Sequence, residues 1–201
     1  MKARAAAEGR DPDHLLIFPG INPIVGRTDT EAEEKYRAMT ELVTIDEALR
    51  MMSQPFSYHD FSQYELDAPF PEISDLGENL YLSTTNQIKQ NARDRGLTLR
   101  QAALEFATPR SDFIGSAEHV ANAVVRWFEA GAGDGFMLVC RLDGAFEAFL
   151  DDVVPILQAR GLFRRNYEAA TLRGNLGLPV PQNRHTARRG EPISDLVQTG
   201  G

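Results

Sequence analysis

The sequence predicts an α/β fold that forms the closing portion of a βα-repeating protein. Two continuous apolar runs, residues 15–18 and 136–139, are bounded by turn residues and do not alternate, which predicts strands buried on both faces of a parallel sheet. Helical patterns fill most of the chain between the two runs. Because two strands make neither a closed barrel nor a sizeable sheet, we expect the chain to be the C-terminal part of a larger α/β protein.

The first residues indicate the end of a helix. Residues 2–8 are strong helix formers, and Gly9 follows at the position where glycine commonly ends a helix. A helix of about two turns is marginal alone, because its nucleation is costly. This favours the last turns of a longer helix whose start is missing. A frayed helix docked on a complete domain is the alternative.

Capping patterns predict where the other helices begin and end. Three threonines are followed three residues later by Glu or Gln, which is the capping-box spacing: Thr28, Thr44 and Thr98. Ser116 is a further good N-cap. The predicted helix stops are glycines: Gly96, Gly131 and Gly161. The last long helix covers about residues 145–160 and contains Pro155, which predicts a bend.

Residues 54–77 form a long connection without clear periodicity. Connections of this length are usually functional or disordered, and the aromatic residues in this one argue against disorder. We therefore predict an ordered insertion that runs over a surface. Residues 179–201 are rich in Pro, Arg and Gly and have no apolar period, which predicts a flexible tail after a folded portion at residues 1–178.

Composition excludes several classes of protein. The chain has 201 residues with 21 Lys and Arg against 29 Asp and Glu, and the resulting net charge of −8 argues against a sequence-independent nucleic-acid binder. A single cysteine, Cys140, excludes an internal disulfide framework and a Cys-rich zinc site. No apolar run approaches the roughly 20 residues of a membrane span, and residues 1–10 lack the apolar core of a signal peptide. We therefore predict a cytoplasmic protein.

The residues alone provide no self-contained catalytic set. The four histidines form no His-Glu-x-x-His pattern, so no metal site is predicted. The glycine-rich residues 131–135 close a helix and enter a strand, which is the reverse of a phosphate loop and predicts a tight turn. His59 and Asp60 in the insertion could bind a substrate or move a proton, and a solvated loop pair is the alternative.

Several segments, taken in their order and spacing, resemble one enzyme family. They are residues 9–13 (GRDPD), 18–20 (FPG), 25–28 (VGRT), 59–62 (HDFS), 66–69 (LDAP), 113–116 (FIGS), 134–136 (DGF), 160–163 (RGLF) and 176–179 (LGLP). Together they resemble the C-terminal part of the luciferase-like flavin monooxygenases, in the nitrilotriacetate monooxygenase branch. The resemblance covers nearly the whole chain up to the tail.

The resemblance implies an incomplete TIM (β/α)8 barrel, with its last two strands, their helices and an insertion over the barrel mouth. It implies a two-component monooxygenase that uses reduced FMN and O2 to oxygenate a small organic substrate, with an NAD(P)H-dependent flavin reductase as partner. Members of the family are longer, and their principal flavin contacts lie on strands that have no counterpart here. We therefore expect no catalytic residue and no main flavin ligand in this chain, and no activity of the chain alone.

Barrel active sites lie at the carboxyl ends of the strands. The predicted pocket-lining residues therefore follow the two strands or reach in from the insertion: Pro19, Gly20, Ile21, Asn22, Arg141, His59 and Tyr64. A second copy or a complementary N-terminal half is a possible partner. Two other interpretations stay open, namely a non-catalytic partner and a helical interaction module, the latter with a mostly helical fold and a two-stranded ribbon.

Overall fold

A computed structural model describes residues 1–73 and 81–181 of the chain. The helices are α1 (Lys2–Ala7), α2 (Asp29–Glu41), α3 (Ile45–Ser53), α4 (Leu82–Arg95), α5 (Leu99–Ala107), α6 (Ala117–Glu129), α7 (Ala145–Ala148), α8 (Val154–Ala159) and α9 (Leu172–Asn175). The strands are β1 (Gly20–Ile21), β2 (Ile24–Gly26), β3 (Ile114–Ser116) and β4 (Met137–Leu138). Short 3-10 turns cover Pro12–His14, Gln54–Phe56 and Phe61–Gln63, and a π-helical turn at Phe149–Val153 joins α7 to α8.

The described strands form two parallel pairs. Strand β1 pairs with β4, with Gly20 opposite Met137, and β2 pairs with β3, with Ile24 opposite Ile114. Parallel strands require long crossover connections, and helices provide them here. The predicted α/β class is therefore confirmed, and the short parallel sheets are consistent with part of a barrel.

The strands differ in place and burial from the prediction. Residues 15–18 are extended, but regular pairing begins only at Gly20, and Phe18 is exposed. In β4, Met137 is 59% exposed. The prediction that both apolar runs are buried on two faces is wrong, because helices cover one face of the β1–β4 pair and the described residues leave the other face open.

Sequence reasoning missed strands β2 and β3. Neither residues 21–26, which include Pro23, nor residues 113–116, which lead to the Ser116 cap, are predicted to form strands from the sequence. Both strands have three residues, which is too short for a periodic pattern. Their pairing is a long-range contact, and Ile24 and Ile114 are buried with helix α2 in one cluster.

The predicted helix starts are confirmed. Four hydroxyl side chains accept the backbone amide three residues further on: Thr28, Thr44, Thr98 and Ser116. At Thr98 the Gln101 side chain also accepts the Thr98 amide, which completes a capping box. The last long helix runs through residues 145–159 with the π-helical turn just before Pro155. Proline has no amide to donate, and the wider turn accommodates that missing bond.

The described residues of the insertion are packed into a helical core. Phe56 and Phe61 are almost fully buried and meet edge to face, with 5.4 Å between their ring centroids. They join the apolar faces of α3 and α5 in one cluster. A second cluster lies under the β1–β4 pair and is formed by α6 and α8. Residues 74–77 of the predicted insertion and 182–201 of the predicted tail lie outside the described residues.

Asp134 fixes the turn that leads from α6 into β4. Its carboxylate accepts a hydrogen bond from Lys2 Nζ at 2.6 Å and another from the Ile17 amide at 2.8 Å. Its own amide donates to the Ile17 carbonyl at 2.8 Å. At Gly135 a Cβ would stand 2.5 Å from the Phe18 ring, so this close approach requires glycine. The predicted helix-to-strand turn is confirmed, and Asp134 ties α1 to the sheet.

None of the helices in residues 1–73 and 81–181 has the length and apolar content that crossing a lipid bilayer requires.

The turn after β2 provides a test of packing by glycine substitution. A Cβ at Gly26 would stand 2.5 Å from the Ala32 nitrogen and 2.8 Å from the Thr28 oxygen, and both are helix-start backbone atoms. We expect Gly26→Ala to lower the free energy of unfolding by about 2 kcal/mol. Gly20→Ala is the control, since its Cβ meets only side chains at 3.6 Å or more, and it should change stability by less than about 0.5 kcal/mol. Urea unfolding followed by circular dichroism checks both, and equal effects would contradict this packing.

The contribution of Asp134 to the free energy of unfolding should depend on pH. Burial opposes ionisation of this carboxyl, but the hydrogen bonds from Lys2 and the Ile17 amide outweigh it and hold its pKa below the usual value. Because the folded-state pKa is the lower one, the stabilisation is present above the unfolded-state pKa and is lost as pH falls through the folded-state pKa. We expect Asp134→Asn to cost about 1 kcal/mol at neutral pH.

The difference between wild type and Asp134→Asn should shrink as the pH falls below about 4, the range in which a free aspartate takes up its proton. Urea unfolding of both proteins over a series of pH values measures this difference. A difference that stays constant down to acid unfolding would show that the charge of Asp134 plays no part.

Candidate functional site

A cleft of about 470 Å³ opens at the carboxyl ends of β1 and β4. One wall consists of Gly20, Ile21 and Asn22 from the end of β1, together with Val139 and Arg141, which follow β4. Open α/β sheets bind ligands at this end of their parallel strands, because loops of variable sequence converge there. The cleft is therefore the candidate functional site.

The second wall comes from the loop before β3 and from helix α6. It consists of six residues: Pro109, Arg110, Ser111, Asp112, Phe113 and Trp127. The rings of Phe113 and Trp127 pack with centroids 5.3 Å apart, which makes this wall partly aromatic. Sequence reasoning missed it, because residues 108–112 carry no motif and only the pairing of β3 with β2 brings them to the cleft.

Arg141 connects the two sides of the site. Its backbone amide donates to Asn22 Oδ1 at 3.3 Å, and its Nη1 donates to the carbonyl of Ala107, the last residue of α5, at 2.9 Å. Arg141 is exposed at the cleft, and a guanidinium has five N–H donors. It can therefore hold α5 in place and still donate to an acceptor in the cleft.

The other cation of the cleft is neutralised. Arg110 forms an ion pair with Glu33 at 2.8 Å and lies over the ring of Tyr36, 5.4 Å from its centroid. The hydrogen bond from Arg110 holds the pKa of the Glu33 carboxyl below its usual range. Within the described residues Arg141 bonds to a backbone carbonyl instead of a carboxylate. An anionic or carbonyl group in the cleft would therefore meet Arg141 first.

The structure brings together four of the seven predicted site residues, namely Gly20, Ile21, Asn22 and Arg141. Pro19 lies just outside the lining, and its carbonyl accepts the amide of Met137 at 3.0 Å. Pro19 therefore contributes to pairing the strands.

His59 and Tyr64 do not line the cleft. His59 Nε2 lies 3.0 Å from the Tyr64 hydroxyl, and the His59 ring meets Phe61 edge to face. The Asp60 carboxylate accepts both the amide and the hydroxyl of Ser62, at 2.9 and 2.7 Å, and these bonds lower its pKa. Asp60 therefore caps a local turn, and the two site residues predicted in the insertion belong to its aromatic packing.

The buried polar side chains of residues 1–73 and 81–181 each have a hydrogen-bond partner. No buried side-chain nitrogen or oxygen among them lacks a hydrogen-bond partner, so no orphaned group marks the position of a cofactor. The side chains of Asn22 and Arg141 are both engaged with backbone atoms. Residues 1–73 and 81–181 also contain no group of three His, Cys, Asp or Glu side chains arranged for a metal ion.

The chain is similar in sequence to several monooxygenases, although no family model matches it. N-acetyl-S-(2-succino)cysteine monooxygenase of Bacillus subtilis is 35% identical, covering 92% of this chain and 43% of the relative. Nitrilotriacetate monooxygenase component A of Aminobacter aminovorans is 35% identical, covering 91% and 41%. Dibenzothiophene-sulfone monooxygenase of Rhodococcus erythropolis is 34% identical, covering 90% and 41%. The chain thus spans about two fifths of the length of these relatives.

Solved structures have the same fold over most of the chain. EDTA monooxygenase from a Chelativorans species superposes with a TM-score of 0.55 at 32% identity, covering 89% of this chain and 42% of the other. Riboflavin lyase, solved with modified FMN and riboflavin, superposes with a TM-score of 0.67 at 30% identity, covering 88% and 38%. The resemblance seen in the sequence is confirmed, and the chain is homologous to the C-terminal part of luciferase-like FMN-dependent monooxygenases.

Proposed function

We propose that this chain forms one wall of the active site of a flavin-dependent monooxygenase, which uses reduced FMN and O2 to oxygenate a small organic substrate. The main support is the sequence match to two named monooxygenases, which extends over 92% and 91% of the chain. The position of the cleft, at the carboxyl ends of parallel strands, agrees with it.

The remaining strands of the active site belong, in this proposal, to polypeptide outside these 201 residues. A TIM barrel closes eight strands and typically needs about 250 residues. The described residues contain two strand pairs, and the chain spans 41% of nitrilotriacetate monooxygenase component A. The principal flavin contacts would then lie on the additional strands, and this chain alone would be inactive.

The residues of this chain bind and orient the substrate. Arg141 donates hydrogen bonds to a carboxylate or carbonyl oxygen of the substrate, and Asn22 fixes the backbone from which Arg141 extends. The rings of Phe113 and Trp127 exclude water from the opposite wall. When bound, reduced FMN would supply the two electrons that activate O2, so that one oxygen atom goes to the substrate and the other leaves as water.

A flavin reductase is the expected partner. One relative is named as component A, which indicates a system of more than one protein. Reduced FMN reacts with oxygen in solution, so a separate NAD(P)H-dependent reductase must supply it continuously. We place this reaction in the cytoplasm, where NAD(P)H is regenerated.

Flavin titration tests where the cofactor contacts lie. Trp127 is the only tryptophan of the chain and lines the cleft, so its fluorescence reports on ligands there. We expect an anaerobic titration of the chain alone with reduced FMN to give no saturable quenching. A chimera in which the chain replaces the matching 41% of nitrilotriacetate monooxygenase component A should bind reduced FMN in calorimetry. Saturable binding of reduced FMN by the chain alone would contradict the proposal that the principal flavin contacts lie outside this chain. A folded chimera that does not bind reduced FMN would contradict the monooxygenase proposal.

Arg141 is the residue to test for substrate binding. In the chimera, supplied with a reductase and nitrilotriacetate, we expect Arg141→Ala to lower kcat/KM about tenfold or more, mainly by raising KM. Arg141→Lys should recover part of the loss, because it keeps the charge. Arg50→Ala, on the exposed side of α3, is the matched control and should leave both constants unchanged. An unchanged KM in Arg141→Ala would contradict the role of this guanidinium.

A further inference from the structure

We propose that a second cavity, between helices α4 and α5, binds a neutral adenine nucleoside through the side-chain amides of Gln87 and Asn91. The cavity has a volume of about 640 Å³ and is lined by these two helices and by Tyr36 of α2. We call it the α4–α5 cavity. Among the described residues it shares only Pro109 and Arg110 with the cleft at the strand ends. The proposal is therefore independent of the proposed function.

The α4–α5 cavity has the size and the apolar lining of a small-molecule site. Its lining includes the buried side chains of Leu97 and Ala102 and the half-buried side chains of Ile88 and Phe106. Sites for small molecules are mostly apolar concavities of about 300–1,000 Å³ in which a few polar groups fix the orientation of the ligand. The cavity therefore suits a flat ring compound of the size of a nucleoside.

The charged side chains of the α4–α5 cavity are already paired. Arg95 donates two hydrogen bonds to the Glu105 carboxylate, at 2.6 and 2.9 Å, and both residues line the cavity. Arg110 donates to the Glu33 carboxylate at 2.8 Å. A phosphate or carboxylate group of a ligand would have to displace one of these carboxylates. The lining therefore favours a ligand without charge, in contrast to the cleft that contains Arg141.

The polar groups that are free to bind a ligand lie on one face of α4. Gln87 and Asn91 are four residues apart, so their side chains are neighbours on the helix surface, and both line the cavity. Within residues 1–73 and 81–181, neither side-chain amide has a hydrogen-bond partner. Gln90, which does not line the cavity, differs because it donates to Asp94 at 2.7 Å. The two amides thus present donors and acceptors to the cavity.

The pair of amides indicates the class of ligand. Adenine carries an amino donor, N6, beside a ring acceptor, N7, and Asn or Gln side chains bind this edge with two hydrogen bonds. The faces of the ring can lie against Ile88 and Phe106. Thr84 lines the same cavity, and its hydroxyl can bind a hydroxyl of the sugar. Adenosine has these groups and no charge at neutral pH, and it is therefore the probe.

Titration of the full 201-residue chain with adenosine, followed by saturation-transfer NMR, tests the site. We expect saturable binding with a Kd of about 1 mM or tighter. N6,N6-dimethyladenosine keeps the ring and the sugar but lacks the amino donors, so it should bind about tenfold or more weakly. AMP should bind no more tightly than adenosine, because each arginine of the cavity already has a carboxylate partner.

A double variant tests the two amides. Gln87→Met with Asn91→Leu removes both amides and nearly keeps the side-chain shapes, so it should weaken adenosine binding about tenfold or more. Asn86→Leu with Gln90→Met is the matched control, since it changes the same residue types on α4 outside the cavity lining, and it should bind as wild type. Circular dichroism should show wild-type helix content in both double variants.

The fluorescence of Trp127 distinguishes the two sites. Trp127 lines the cleft but not the α4–α5 cavity, so its fluorescence should stay constant during the adenosine titration. A Trp127 signal that saturates with adenosine would overturn the proposal, because it would place the nucleoside in the cleft. No saturable binding, tighter binding of AMP, equal binding of N6,N6-dimethyladenosine, or wild-type affinity of the Gln87→Met, Asn91→Leu variant would overturn it as well. None of these results bears on the monooxygenase proposal, which is tested with reduced FMN in the chimera.

Discussion

The pairing of residues 17–21 with residues 134–139 determines the arrangement of the rest of the described structure. Asp134 exchanges hydrogen bonds with both backbone groups of Ile17 and binds Lys2, so one side chain joins α1, the entry to β1 and the entry to β4. The pairing sets the carboxyl ends of the two strands side by side. Asn22 and Arg141 meet there only because the strands are in this register. The cleft is thus a consequence of the register.

Local features of the fold could be predicted from the sequence. The helix starts at Thr28, Thr98 and Ser116 depend on bonds between residues three apart, and every partner is visible in the sequence. The turn before β4 was predictable for the same reason, since its glycines lie between a helix pattern and an apolar run. One wall of the candidate site consists of residues that follow the two apolar runs. It could be predicted, because barrel active sites lie at the carboxyl ends of the strands.

Features that depend on distant pairing could not be predicted in the same way. Strands β2 and β3 are three residues each, and their only strong signal is their pairing with one another, in which Ile24 lies opposite Ile114. The second wall of the cleft follows from that pairing. His59 and Tyr64 show the converse, because polar aromatic residues in a long connection suggest a site, whereas in the described residues they pack around Phe61 and do not line the cleft. The described strands are four in parallel pairs, so the alternative of a two-stranded ribbon is wrong.

The apolar side chains of β4 are more exposed than the sequence pattern predicts. A sequence is fitted to the environment in which a protein works, and β4 carries apolar side chains on a face that the described residues leave open. If these residues worked in isolation, polar residues at Met137 and Val139 would reduce the risk of edge-to-edge aggregation at no cost in packing. Their apolar character fits a face on which further polypeptide packs, as the proposed function requires. Val139 and Arg141 both line the cleft, so polypeptide packed on this face would also contribute to the candidate site.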